Sequence, residues 1–112
     1  MSLPRLQFRE ASVADLLQLH EYLQEHATSA LADRFLIAVE RSTEQIRRYP
    51  AAGSLFRPRP ISLAELHWWS IAEFPRHLIY YRVQPGLIDI VRVLHGARDA
   101  RTELNQLRSH QP

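Results

Sequence analysis

Apolar positions in the first half of the chain recur with the period of an α-helix. The segment 5–9 alternates apolar and polar residues and predicts a short first strand. Apolar residues then recur every three or four positions up to about residue 26, and again over 31–49. Thr28 or Ser29 can cap the second of these segments. The pattern therefore predicts a strand followed by two helices with a short link, a helical hairpin.

Local signals give the helix boundaries. Ser12 and Asp15 form an S-x-x-D pattern, in which the two side chains satisfy the free N–H groups of a helix start. We therefore expect the first helix to be capped at Ser12. Pro50 and Gly53 predict the end of the second helix, because proline cannot continue a helix and glycine is common just beyond one.

The second half of the chain has the composition of β-strands. The segments 66–71, 77–83 and 87–94 are rich in β-branched and aromatic residues. Pro85-Gly86 lies between the last two segments and suits a type II turn, so these two strands are expected to form an antiparallel hairpin. The segment 54–62 contains two prolines, which restrict the residues before them, and is expected to be an extended connector.

The end of the chain predicts one more helix. Asp99 can cap a C-terminal tail helix over 99–110. The expected order is β-α-α-β-β-β-(α), which is an α+β fold with a helical hairpin packed on a small, mainly antiparallel sheet. At 112 residues the chain fits a single domain, 1–112.

Charge and composition narrow the range of partners. All 14 basic residues are arginine, which reflects either a coding bias or a use of arginine for bidentate pairing with carboxylate or phosphate. Residues 1–56 hold 6 arginines and 7 acidic residues, whereas residues 57–112 hold 8 and 5, a net charge of −1 against +3. The basic second half favours an acidic peptide or a nucleic acid as partner.

Several classes of site are excluded or unsupported. The chain contains no cysteine, which rules out disulfides and thiolate chemistry. Its six histidines lack H-x-x-x-H spacing, and its three glycines cannot form a glycine-rich phosphate loop. We therefore expect no metal and no cofactor. No apolar run is long enough for a signal peptide or a membrane span, so we expect a cytoplasmic protein without a membrane partner.

Strand alternation places two arginines on neighbouring strands of the predicted hairpin. Arg82 shares a face with Leu78 and Tyr80, and Arg92 shares one with Ile88, Ile90 and Leu94, while Asp89, Val91, Val93 and His95 share the other. Each arginine either pairs with a helix carboxylate or lines a groove for an acidic partner or a phosphate. His95 is either a positioned hydrogen-bonding residue or a general base.

The segment that ends the predicted hairpin carries a resemblance to a known family. The sequences RHLIYYRV (76–83) and IDIVRVLHGARD (88–99) closely resemble ParE-like toxins of the RelE/ParE superfamily of bacterial type II toxin–antitoxin systems. The motifs ADRF (32–35) and P-x-x-G (50–53) agree with it. The resemblance covers nearly the whole chain and implies the same element order as the pattern above.

The resemblance implies a toxin that is neutralised by a cognate acidic antitoxin, whose arm wraps the helical hairpin and the sheet. ParE-like members are associated with inhibition of DNA gyrase, and RelE-like members cleave mRNA on the ribosome. Our first hypothesis is a gyrase inhibitor without enzymatic activity. A ribosome-dependent mRNA endoribonuclease is the alternative, and an inactive family member is the third possibility.

The resemblance also indicates candidate site residues. The residues expected to bind the antitoxin or the target are Arg76, Arg82, Arg92, His95, Arg98 and Asp99. If the protein is a ribonuclease, the candidates for acid–base and phosphate chemistry are Arg92, His95 and Arg98. The chain departs from the mRNA-cleaving members, because no tyrosine follows Tyr81 and the sequence contains no lysine.

Overall fold

A computed structural model of the protein describes residues 2–56 and 66–96. In chain order the elements are β1 (Arg5–Phe8), α1 (Glu10–His26), α2 (Ser29–Arg48), a 3-10 turn (Pro50–Ala52), β2 (Ser54–Phe56), β3 (Leu66–Ile71), β4 (Phe74–Gln84) and β5 (Leu87–His95). No helix in this described part is long and apolar enough to cross a membrane.

The strands form one five-stranded sheet in the order β1-β5-β4-β3-β2. β1 pairs with β5 in parallel, and the other neighbouring strands are antiparallel. The two helices pack against each other and against the sheet. The predicted α+β class, with a helical hairpin on a mainly antiparallel sheet, is confirmed.

The start of α1 differs from the expected cap at Ser12. The helix begins at Glu10, and Arg9 at the N-cap makes no side-chain capping bond. Ser12 is buried, and its hydroxyl donates to the Arg9 carbonyl at 2.7 Å. Asp15 is buried as well and turns its carboxylate toward β5. The capping-box interpretation was wrong because both side chains lie on the inward face of the helix.

The link between the helices and the start of α2 agree with the sequence. Only Ala27 and Thr28 separate the two helices. The Thr28 hydroxyl accepts a hydrogen bond from the Leu31 N–H at 3.0 Å, which satisfies one of the free donors of the first turn. The buried stripe of α2 runs along its inward face and consists of Ala32, Phe35, Ala38, Val39, Ser42, Thr43 and Ile46.

The expected connector is partly a strand. Residues 54–56 form β2, which pairs with β3 in the register Ser54 to Trp68 and Phe56 to Leu66. The prediction of a connector without regular structure from residue 54 was wrong for these three residues, because the strand depends on pairing partners that lie 10 to 14 positions later in the chain. The rest of the connector and the predicted tail helix over 99–110 lie outside the described residues.

The sheet has an apolar cluster on each side. Between the sheet and the helices lie Phe35, Ala38, Val39, Ile46, Ile71, Ile79, Tyr81, Ile88, Ile90 and Val93. A second buried cluster comprises Leu66, Leu78, Tyr80, Val91 and Leu94. Adjacent residues of β4 thus alternate between the two clusters, as a strand buried on both faces requires.

A bulge in β5 changes the predicted alternation. Tyr80 pairs with Arg92 and Tyr81 pairs with Ile90, so β5 has one extra residue, Val91, at this point. Beyond it Val93 joins the helix-side cluster and Leu94 joins the other. The prediction that Val91 and Val93 share a face, and Ile90 and Leu94 the other, was wrong because an extra residue reverses the alternation.

Candidate functional site

The predicted site residues are distributed along the β4–β5 hairpin. Arg76 and His95 lie at its open end, and Arg82 lies near the turn. Arg82 lies six positions after Arg76 on the strand, a distance of about 20 Å at ~3.3 Å per residue. Arg98 and Asp99 lie outside the described residues. The described candidates therefore follow an extended surface of the hairpin and do not converge on one point.

Arg92 makes a buried ion pair with helix α1. Its guanidinium donates to both carboxylate oxygens of Asp15, from Nε at 2.7 Å and from Nη2 at 2.8 Å. The side chains are only 14% and 9% exposed. The structural alternative considered for this arginine, pairing with a helix carboxylate, is therefore present. Whether Arg92 also binds a partner stays a prediction.

The same carboxylate of Asp15 also accepts a hydrogen bond from the backbone at the edge of β5. β1 pairs with β5 only as far as Ile90, and no other described strand pairs with this edge of β5 beyond that residue. The backbone N–H of Val93 donates to Asp15 Oδ2 at 3.0 Å. Asp15 thus holds a backbone donor and an arginine together, as buried polar groups require. The sequence offered one signal for this role, namely an acidic residue at a core-facing position of a helix.

A second buried carboxylate lies near the turn of the hairpin. Asp89 Oδ2 accepts a hydrogen bond from Arg9 Nε at 2.9 Å and makes an ion pair with Arg9 Nη2 at 2.8 Å, and the Asp89 side chain is 4% exposed. Arg82 is paired directly opposite Asp89 on β4. Its Nε is buried, and neither this atom nor Asp89 Oδ1 has a hydrogen-bond partner among the described residues. Whether Arg82 binds a partner stays a prediction.

The open end of the hairpin carries two histidines. His77 and His95 pair directly across the strands, with ring centroids 5.0 Å apart and ring planes at 79°. His77 also packs edge-on against Phe35 and Phe74. Burial, together with the nearby charge of His95, lowers the pKa of His77 from its usual value of 6.5. His77 is therefore mostly neutral at pH 7. Sequence reasoning had not selected His77.

The exposed side chains of the described part of the chain include one arginine of the hairpin and an apolar pair on α1. Arg76 is exposed, and no described residue makes an ion pair with it. On the outer face of α1, Val13 is 42% and Leu17 is 66% exposed. These two residues are one helical turn apart and form a single apolar strip. Such a strip, with arginines elsewhere on the surface, suits an acidic amphipathic partner.

Comparison with known proteins finds similarity to toxins and to a structure of type II toxin–antitoxin systems. A family model described as the ParE toxin of the type II toxin–antitoxin system parDE matches residues 6–100. Toxin RelE2 of Caulobacter vibrioides is 30% identical over 87 residues, which are 78% of this chain and 89% of that protein. A solved structure described as the chromosomal ParDE TA system from P. aeruginosa has a TM-score of 0.68 at 14% identity, and the match covers 84% of this chain and 97% of the other.

The three matches carry different weight. The structural match is too distant in sequence to show more than the fold. The family match, however, spans both helices and all five strands. The chain therefore belongs to the ParE toxin family of type II toxin–antitoxin systems, within the RelE/ParE superfamily.

Proposed function

We propose that this toxin acts by protein–protein contact on DNA gyrase, without cleaving RNA, and that a cognate acidic antitoxin neutralises it. The family match is to ParE toxins over residues 6–100, and the sequence resemblance associates ParE-like members with gyrase. The observation that carries the proposal is the ion pair that Arg92 makes with Asp15. Its charge is already compensated by the bidentate contact to Asp15.

Ribonuclease action is the alternative. The relative Toxin RelE2 carries the name of the mRNA-cleaving branch, and Arg92, His95 and Arg98 are the residues that would do the chemistry. Stabilisation of a phosphorane-like transition state requires cationic donors directed at the developing charge. In the described part of the chain, Arg92 is instead bound to Asp15, and the His95 ring lies against His77. This arrangement favours the binding function.

Two assays on the same purified protein separate the proposals. We expect inhibition of gyrase-catalysed supercoiling of relaxed plasmid, and intact mRNA in a translation-coupled cleavage assay.

We also expect expression of the protein alone to slow growth of a bacterial host, and co-expression of the antitoxin to restore it. Cleaved mRNA with unaffected supercoiling would support the ribonuclease alternative. Normal growth at verified high expression of folded protein would support an inactive member.

The antitoxin contact is proposed to include the outer face of α1. Val13 and Leu17 are exposed apolar side chains on the helix whose Leu16, Leu19 and Leu23 pack against the core. Burial of a leucine side chain contributes about 1.5–3 kcal/mol. Arg76, which is exposed, and Arg82 are the arginines of the hairpin that we propose to contact acidic residues of the antitoxin.

We expect the substitution Leu17→Glu to weaken antitoxin binding about tenfold or more, because tenfold corresponds to about 1.4 kcal/mol and a buried leucine is worth at least that. The matched control is Gln18→Glu, which adds the same negative charge at the neighbouring exposed position. Isothermal titration of the antitoxin into each variant measures the effect. Equal affinities of the two variants would place the antitoxin elsewhere.

A further inference from the structure

Two histidines that are 18 positions apart in sequence meet at the open end of the β4–β5 hairpin. His77 on β4 and His95 on β5 are direct cross-strand partners, and their ring centroids are 5.0 Å apart. The sequence alone predicted no metal site, because no pair of histidines has the spacing of a helical metal motif. Strand pairing produces a proximity that such spacing rules do not detect.

The separation of the two rings agrees with ligation of one metal ion. Imidazole nitrogen binds Zn²⁺ at about 2.0–2.1 Å, so two rings on one tetrahedral ion have centroids about 5 Å apart. The His95 side chain is exposed. Its ring can turn about its broad, roughly two-fold χ2 torsion to direct a nitrogen at an ion held by His77. The site therefore combines a fixed ligand with an adjustable one.

The surroundings of His77 suit its use as a metal ligand. The rings of Phe35 and Phe74 pack against it and hold its orientation. Its Nδ1 is buried and has no hydrogen-bond partner among the described residues, so a cation would satisfy an otherwise unpaired atom.

We propose that His77 and His95 bind one divalent transition-metal ion of the Zn²⁺ type across the open end of the β4–β5 hairpin. No group of three or more His, Cys, Asp or Glu side chains that could hold a metal occurs in the described part of the chain. Water or a side chain of a bound partner completes the coordination. The site is independent of the proposed target, since it rests only on the pairing of these two strands.

Titration calorimetry with ZnCl₂ on protein free of any histidine tag tests the proposal. We expect saturable binding of one Zn²⁺ per chain and no binding of Mg²⁺, which prefers oxygen ligands. His95→Gln is the test variant, because His95 is exposed and its removal leaves the packing of His77 against Phe35 in place. It should lower the Zn²⁺ affinity about tenfold or more, since even outer-shell changes at metal sites cost that much.

The matched control is His26→Gln, which removes an exposed histidine at the end of α1, remote from the hairpin in sequence. It should leave the Zn²⁺ affinity unchanged. Absence of saturable Zn²⁺ binding to the unmodified protein would overturn the proposal. An unchanged affinity in His95→Gln, or an equal loss in His26→Gln, would overturn it as well and would assign the two rings to packing alone.

Discussion

We expect the substitution Asp15→Ala to destabilise the protein by about 3–5 kcal/mol, the range for breaking a buried ion pair by removal of one partner. It would leave the Arg92 guanidinium, 14% exposed, without its bidentate partner, and the Val93 N–H without its acceptor. Chemical denaturation followed by circular dichroism measures the change. The loss of stability exceeds that of a typical substitution because one carboxylate both pairs with a charged side chain and accepts a hydrogen bond from a backbone N–H.

Two further variants separate these contributions. Asp15→Asn keeps a side-chain oxygen that can accept from Val93 but removes the negative charge, so its loss should be smaller than that of Asp15→Ala. The control is Asp33→Ala, because the Asp33 side chain is 71% exposed and its ion pair among the described residues is with His20 at the surface. We expect a change within about 0.5 kcal/mol there. If Asp15→Ala and Asp33→Ala lower the free energy of unfolding equally, the contacts of Asp15 with β5 are not a determinant of stability.

The second large loss of stability is expected on substitution of Gly53. Its cause is the lack of space for a side chain and not the backbone conformation. The φ angle of Gly53 is −69°, which any residue can adopt. A Cβ atom there would overlap the Tyr81 hydroxyl and lie 2.9 Å from Tyr81 Cζ and 3.0 Å from the Trp68 carbonyl oxygen. Tyr81 is fully buried, and burial raises the pKa of its hydroxyl to about 12. Its ring therefore has little room to move.

We expect Gly53→Ala to cost about 1–3 kcal/mol, as overpacking of a close-packed core does. The Tyr81 hydroxyl donates to the Pro50 carbonyl at 2.8 Å, and Tyr81→Phe should cost about 0.5–1.5 kcal/mol for the loss of that bond. The double variant should cost less than the sum of the two, because removing the hydroxyl frees the space that the new methyl group needs. Additive losses in thermal or denaturant unfolding would show that the two residues are not coupled.

The Gly53 contact also explains the P-x-x-G motif. The motif predicted only that α2 ends, and α2 does end at Arg48, before the turn Pro50–Ala52. The structure adds that both terminal residues of the motif face one side chain of β4. Pro50 accepts the hydroxyl of Tyr81, and Gly53 makes room for it. The motif thus joins the end of the helix to the centre of the sheet.

Local pattern was sufficient for the family and for the secondary structure except β2, which the sequence had assigned to a connector. The helical period of the first half, the Thr28 cap and the Pro85-Gly86 turn are properties of neighbouring residues, and each element they predict is present. β3 was predicted with its observed bounds, Leu66–Ile71. The hairpin sequence likewise indicated the ParE family, which the comparisons confirm. Hydrophobic periodicity is reliable here because burial of one face fixes it.

The sequence by itself therefore determined the types of the elements, most of their order and the family. Only the tertiary structure decided which polar groups meet. Asp15 and Arg92 are 77 positions apart, and His77 meets His95 because of the register of two strands. One extra residue, Val91, decides which side chains face the helices. Register and long-range pairing are set by the whole folded core, so no local pattern contains them.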